Sequence, residues 1–181
     1  IEAMAFYSDE TGDDIEEENE ILADSDYNKT DFYLDRVNTA ETEEENEFRL
    51  KVDYTWPFSE TGRLEAGWLS RLESEVEGLS FDSFDQETNS WIRNDQFSST
   101  TDFRRDIHAI YSTFSNALGG LDYMLGLRGE FTIREILNTN AEEAAELNRF
   151  DLFPTLHLSY KIKETNELMA SYSRRINRPG G

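Results

Sequence analysis

The chain has 181 residues, with 39 Asp and Glu against 17 Lys and Arg, a formal net charge of -22, an isoelectric point near 4.3 and 37% hydrophobic residues. So negative a field excludes a general nucleic-acid role, because phosphate binding needs clustered cations, and the absence of cysteine excludes disulfides, thiolate metal sites and cysteine nucleophiles. Low hydrophobicity with high charge favours disorder, yet 13% aromatic residues and long alternating runs predict that large parts fold.

In residues 1–8, Ile1, Ala3, Ala5 and Tyr7 alternate with Glu2, Met4 and Phe6, which predicts the end of a strand. Residues 9–47 carry the runs TGDDIEEENE and ETEEENE with only Lys29 and Arg36 as cations. They predict a long solvated loop, within which Phe32, Tyr33, Leu34 and Val37 could extend strands beyond a membrane surface. The alternation is cleanest at Phe48, Leu50, Val52, Tyr54, Trp56 and Phe58, set against Arg49, Lys51, Asp53 and Thr55, and it predicts a strand with one apolar face. A short turn at 59–62 leads into a return arm with Leu64, Ala66, Trp68, Leu72 and Val76 on one parity, and Glu65, Arg71, Glu73 and Glu75 on the other.

Residues 78–101 form a polar stretch dotted with Phe81, Phe84, Trp91 and Phe97, expected as a second long loop. A long hairpin follows, with its turn at 115–120 and a second arm that places Leu121, Tyr123, Leu125, Leu127 and Phe131 on one face. Its first arm is less regular: Phe103, Ile107, Ala109, Tyr111 and Thr113 read as the apolar parity, with Ile110 and Phe114 opposite. Residues 135–149 are expected as a third long loop in which AEEAAEL forms a helical turn, and two further alternating arms flank a short turn at 163–166.

Globular strands usually run about five or six residues, whereas a tilted strand crossing a bilayer needs about nine to eleven. Long polar loops alternating with short turns are the plan of an outer-membrane barrel. The expected fold is therefore all-β, with antiparallel up-and-down strands forming part of a transmembrane β-barrel wall. Trp56 and Phe58 would mark one interfacial girdle and Phe131 the other. A soluble β-sandwich shows the same alternation, so a soluble or surface-exposed β-rich binding or adhesion module is the alternative.

The segments KVDYTWPF, RLEAGW, DIHAIYSTFSN, YMLGLRGEFT, FDLFPTLHLSY and above all ASYSRRINRP resemble the outer-membrane β-barrel family of Bacteroidetes-type bacteria, a branch of the TonB-dependent receptors. The resemblance runs from about Phe48 to Pro179, and its most specific part is Arg174, Arg175, Ile176, Asn177, Arg178 and Pro179. It implies a many-stranded barrel in the outer membrane, in contact with its lipid, that captures and imports a scarce small ligand. It also implies a plug domain and a TonB system as partners, expected in parts of a longer protein. No cofactor and no enzymatic activity are expected.

The polar parity supplies the candidate ligand- or plug-contacting residues: Arg49, Lys51, Asp53, Arg71, Glu73, Arg128, Glu130 and His157. His108 is expected on the same lumen-facing parity. Guanidinium forks suit carboxylate or phosphate, so the RRINRP run could bind an anion. The structural reading places Arg174 and Arg178 at a strand end, against lipopolysaccharide or loops, with Arg175 facing the lumen or plug. The acids at 13–18 and 43–45 lack the Asp/Asn/Gly spacing of a calcium loop and read as solvated charge.

Overall fold

The computed structural model describes residues 1–139, 143–163 and 166–176. Eight strands form one antiparallel sheet: β1 (Glu2–Ala23), β2 (Lys29–Pro57), β3 (Arg63–Asp85), β4 (Ser90–Arg93), β5 (Ser99–Leu118), β6 (Leu121–Asn138), β7 (Glu143–Lys163) and β8 (Asn166–Ser173). Sequential strands are neighbours, in the order β1-β2-β3-β5-β6-β7-β8, and the short β4 pairs with the far end of β3. This is the all-β, up-and-down meander that the alternation predicts, and no second sheet covers either face among the described residues.

Register decides which side chains share a face. One rung runs Val52, Trp68, Ile110, Gly129 and Leu152, and the next face-mates towards the short turns run Tyr54, Ala66, Ser112, Leu127 and Pro154. This face is apolar and open: Trp56, Trp68, Leu125, Leu127, Phe131, Phe150 and Tyr172 are all exposed, and Ile110 is 72% exposed. On β6 the apolar parity extends from Tyr123 to Ile133, about 34 Å along the strand and about 24 Å along the normal at the usual tilt. That matches the ~25 Å lipid-facing band of an outer-membrane barrel. Near the short turns Trp56, Phe58, Phe114 and Tyr123 pack ring to ring, with centroids 5.5–6.1 Å apart, at the height of one girdle.

The opposite face is polar and crowded. Apart from Ser70 and Asp106, the buried non-glycine residues all lie on it: Glu47, Glu73, Ile107, Ala109, Glu130, Thr132 and Asp151. Crowding on one face and splaying on the other is what curvature around a lumen produces.

Several expectations about connections are corrected. Residues 9–47 are not a loop: β1 and β2 pair from Glu2↔Asp53 through Asn19↔Arg36, and the turn is confined to 24–28. There Asp24 accepts from the backbone of Asp26 and Asn28 at 2.9 Å, and Tyr27 adopts φ 63°. An acidic run reports solvation, not backbone state; a ladder continued out of the membrane tolerates acids on both of its wet faces. Arg36 fastens this region by pairing with Glu17 at 3.0 Å and lying over Phe84 (4.7 Å) and Trp91 (5.3 Å).

Residues 78–101 likewise continue β3 to Asp85 and include β4, where Phe84 and Trp91 meet edge to face at 5.3 Å. Across 135–149, β6 runs on to Asn138 and β7 begins at Glu143, so Ala144 to Leu147 are strand and not helix. Pairing with Ile136 and Leu137 overrides a weak local helix propensity. In the central hairpin, strand persists through Leu118, leaving Gly119 (φ 63°) and Gly120 as the turn.

β5 carries the remaining correction. Tyr111 opposes Gly67 and Arg128, whereas Ile110 opposes Trp68 and Gly129, so Phe103, Ile107, Ala109, Tyr111 and Thr113 face inward and Ile110 and Phe114 face lipid. Gly67 makes room for this, since a Cβ there would stand 2.4 Å from the Tyr111 ring. His108 consequently lies on the outer face, not the lumen side, where its Nδ1 is 2.7 Å from Ser70 Oγ.

The face assignment has a direct consequence. Ile110→Arg, at the centre of the apolar band, should destabilise the membrane-inserted protein by about 2–4 kcal/mol, read from denaturant unfolding in lipid. An unchanged midpoint would mean that this face does not meet hydrocarbon.

Candidate functional site

The eight candidate residues of the polar parity all fall on the inner face. Arg49 opposes Arg71, Lys51 opposes Leu69, and Asp53 opposes Gly67; Arg128 and Glu130 lie opposite Tyr111 and Ala109, and His157 opposes Met124. They do not form a single constellation, but divide into three groups along that face.

The first group joins β2, β3 and β5. Arg71 Nη2 lies 2.9 Å from Glu47 Oε2 and 2.8 Å from Glu73 Oε2, Arg49 lies 2.5 Å from Glu47, and Arg105 lies 2.5 Å from Glu73. Both carboxylates are buried, and Arg105 is half-buried, with its side chain 17% exposed. Glu47 Oε1 and Glu73 Oε2 meet guanidinium nitrogens at these distances without hydrogen-bond geometry, and the Nε atoms of Arg71 and Arg105 have no acceptor among the described residues.

The second group is smaller. Lys51 Nζ pairs with Asp53 at 2.7 Å, and the Tyr111 hydroxyl donates to Asp53 at 2.6 Å across the gap left by Gly67.

The third group lies on β6–β8. Arg128 donates from Nε and Nη2 to Glu130 Oε2 at 3.1 and 2.9 Å, and Arg149 grips both oxygens of Asp151 at 2.8 and 2.9 Å. Arg174 reaches Asp151 at 3.9 Å, so it turns to the lumen side and not outward towards lipid or lipopolysaccharide. Arg128, Glu130, His157, Arg174, Arg175 and Ile176 line one cleft of about 410 Å³. Asn177, Arg178 and Pro179 lie outside the described residues.

Glu47, Arg105, Tyr111, Arg149 and Asp151 belong to these groups and were not singled out from the sequence. A signal was present. Residues two apart on a strand share a face, and E-x-R (47–49), K-x-D (51–53), R-x-E (71–73 and 128–130) and R-x-D (149–151) each place opposite charges at that spacing.

Beyond the apolar band the inner face becomes acidic, with Glu45 opposite Glu75 and Glu43 opposite Glu77. Burial first, then the hydrogen bond and charge of Glu77 and the charges of Glu43 and Glu45, push the Glu75 carboxyl above the usual carboxylate range. No group of Asp, Glu and His suited to a metal ion occurs among the described residues.

Two outcomes follow from this electrostatics. Arg71→Met leaves Glu47 with Arg49 and Glu73 with Arg105 but removes the charged hydrogen bond that bridges the two buried carboxylates, and should cost about 2 kcal/mol, whereas Arg63→Met, which breaks the exposed pair with Glu65, should cost less than about 1 kcal/mol. Denaturation midpoints compare them, and equal losses would deny the inner network its role. A carboxyl whose folded pKa is raised opposes folding once pH rises through that pKa. Glu75→Gln should therefore raise thermal stability at neutral pH and have no effect below the ordinary carboxylate range, a difference that unfolding at the two pH values resolves.

No curated protein matches the sequence. Among solved structures, the chain is similar to the crystal structure of the ferric citrate transporter FecA in its unliganded form, with a TM-score of 0.49 and 13% identity. The match covers 76% of this chain but 21% of that transporter, so the chain spans about a fifth of its length. The model of the outer membrane protein beta-barrel family matches residues 1–181. With its lipid-sized apolar face and charged inner face, the chain belongs to the outer membrane protein beta-barrel family, and its place is the outer membrane.

Proposed function

We propose that the chain is a wall section of a TonB-dependent receptor of the Bacteroidetes-type branch, which captures a scarce small ligand outside the cell and imports it. The observation that carries this reading is the charge-lined inner face. Barrels of about eight strands fill their interior with their own side chains. Here charged groups from β2, β3, β5, β6 and β7 stand side by side, and two arginine Nε donors are buried without an acceptor among the described residues. Buried donors are normally satisfied. Carbonyls or carboxylates from a plug domain filling a wide lumen would satisfy these, and energy would reach that plug through TonB.

The strand extensions support capture. β2 has 29 residues, against about nine to eleven needed to cross, and the excess lies at the end away from the short turns, the extracellular side in such barrels. The reading proposed is transport and not catalysis: the Ser70–His108 contact lies on the lipid-facing side, where the acid on the same strand face, Asp106, is held by Arg104 at 2.8 Å.

Spent-medium mass spectrometry tests the proposal. Bacteria carrying the full-length gene should deplete a compound that a deletion strain leaves untouched, and collapsing the proton-motive force should stop that depletion. Identical depletion by the two strains would overturn it.

A further inference from the structure

We propose that the inner-face cleft bounded by Arg128, Arg174, Arg175 and His157 binds an oxyanion, a small ligand carrying carboxylate or phosphate groups. The inference names the ligand class for the transport reading and rests on that reading for the ligand's route.

The cleft exists because β8 stops early. β8 pairs with β7 only as far as Ser173↔Thr155, while β7 continues back to Glu143. The Arg174 N–H donates to Pro154 O at 3.2 Å, and the segment 174–176 then closes over the inner face instead of extending the sheet. A residue following Ser173 in strand geometry would point to lipid; the contact with Asp151 brings the Arg174 side chain inside.

What distinguishes Arg174 and Arg175 from the ion-paired arginines of the inner face is how little holds them. Asp151 is already gripped at both oxygens by Arg149, so Arg174, at 3.9 Å, is a loose second partner. Arg175 makes no ion pair with the described residues. Arg128 is held in place by Glu130 and by the Tyr111 ring, 5.7 Å from its guanidinium carbon. Three guanidinium groups and a histidine thus face a cleft with one carboxylate in its lining, Glu130. Planar guanidinium forks match carboxylate and phosphate oxygens and bind them in parallel pairs. A volume of about 410 Å³ lies within the range of small-ligand sites. His157 also lines the adjoining cleft of about 640 Å³ near the short turns, which continues the path along β6–β8.

The net charge of -22 does not oppose this. Residues 1–98 hold 28 Asp and Glu against 7 Lys and Arg, whereas residues 99–181 hold 11 against 10. The acid stack stands on β1–β3. β6 is two strand spacings from β3, the nearest of these strands, about 10 Å, which exceeds a Debye length of about 8 Å at physiological salt.

The test uses the full-length protein purified in detergent, titrated calorimetrically with tricarballylate, with inorganic phosphate and with putrescine as a cationic control. Wild type should bind at least one of the two anions and not putrescine, and which of them binds separates carboxylate from phosphate chemistry. Arg174→Gln combined with Arg175→Gln should weaken that binding at least tenfold. Arg175→Gln alone, which breaks no ion pair, should weaken it several-fold, with heat-modifiable gel migration confirming the fold of both variants. The proposal is overturned if neither anion binds, if putrescine binds as well, or if both variants bind like wild type. Calorimetry reads binding without uptake, so a protein that binds the anion and imports nothing keeps this inference while the transport reading fails.

Discussion

Hydrocarbon offers no hydrogen bonds, so each backbone N–H and C=O inside the membrane must be paired by the chain itself. Everything else in this molecule is arranged around that demand. It requires long uninterrupted ladders, and the pairings of β2 with β3, of β5 with β6 and of β6 with β7 run without a register shift. The shifts on the first hairpin occur at Glu20 to Ala23, beyond the apolar band, where water can satisfy a displaced backbone group. A ladder without slips fixes the parity of every residue on it. Lipid on one side and a wet lumen on the other then become a strict period-two division of side chains, because a slip of one residue would exchange the two faces.

That division explains why the carboxylates at membrane depth are buried yet ionised partners sit beside them. Glu47, Glu73, Glu130 and Asp151 lie on the crowded inner face and each has an arginine two residues along its own strand. The sheet backbone sets that spacing, so the pair needs little additional ordering of the chain. Buried pairs repay their desolvation poorly when set against apolar replacements. Their presence on this face is better explained by what the lumen must present than by stability. Arg71 extends the pattern across strands by bridging Glu47 and Glu73, and so ties β2 to β3 by side chains as well as by backbone.

The sequence was most legible where one side of a strand meets lipid. The alternation of Phe48 to Phe58 and of Leu121 to Phe131 follows directly from that contact, and the inner-face positions of Arg49, Arg71, Arg128 and His157 came with it. Legibility failed where both sides of a strand are wet. With no solvent asymmetry, residues 9–47 carry acids on both parities, and the pattern could not announce a hairpin held by its backbone and by Arg36. It failed differently on β5. There the outer face carries Arg104, Asp106 and His108, while Phe103, Ile107 and Ala109 turn inward. Asp106 is neutralised by Arg104 at 2.8 Å and His108 contacts Ser70, so polar groups on the lipid side are paired locally. Strand composition alone does not reveal such pairs, because the Ser70 partner lies 38 residues away.

The same inversion on β5 shapes the inner surface. Ile107 and Ala109 are short or apolar and nearly fully buried, with Ala109 at 1% exposure. They form a low strip between the Glu47–Arg71–Glu73–Arg105 network and the Arg128–Glu130 and Arg149–Asp151 pairs. Charges in low dielectric interact strongly over a few ångströms, and two networks in direct contact would pair with each other and close the face. Between Arg105 and Tyr111 on β5, the apolar Ile107 and Ala109 keep them apart. The charges of the β2–β5 network are then matched by its own members, with only the Nε donors of Arg71 and Arg105 left open, while the β6–β8 side retains guanidinium groups that no carboxylate fully claims. The strand that most disturbs the alternation is thus the one that leaves part of the inner face free to meet something other than itself.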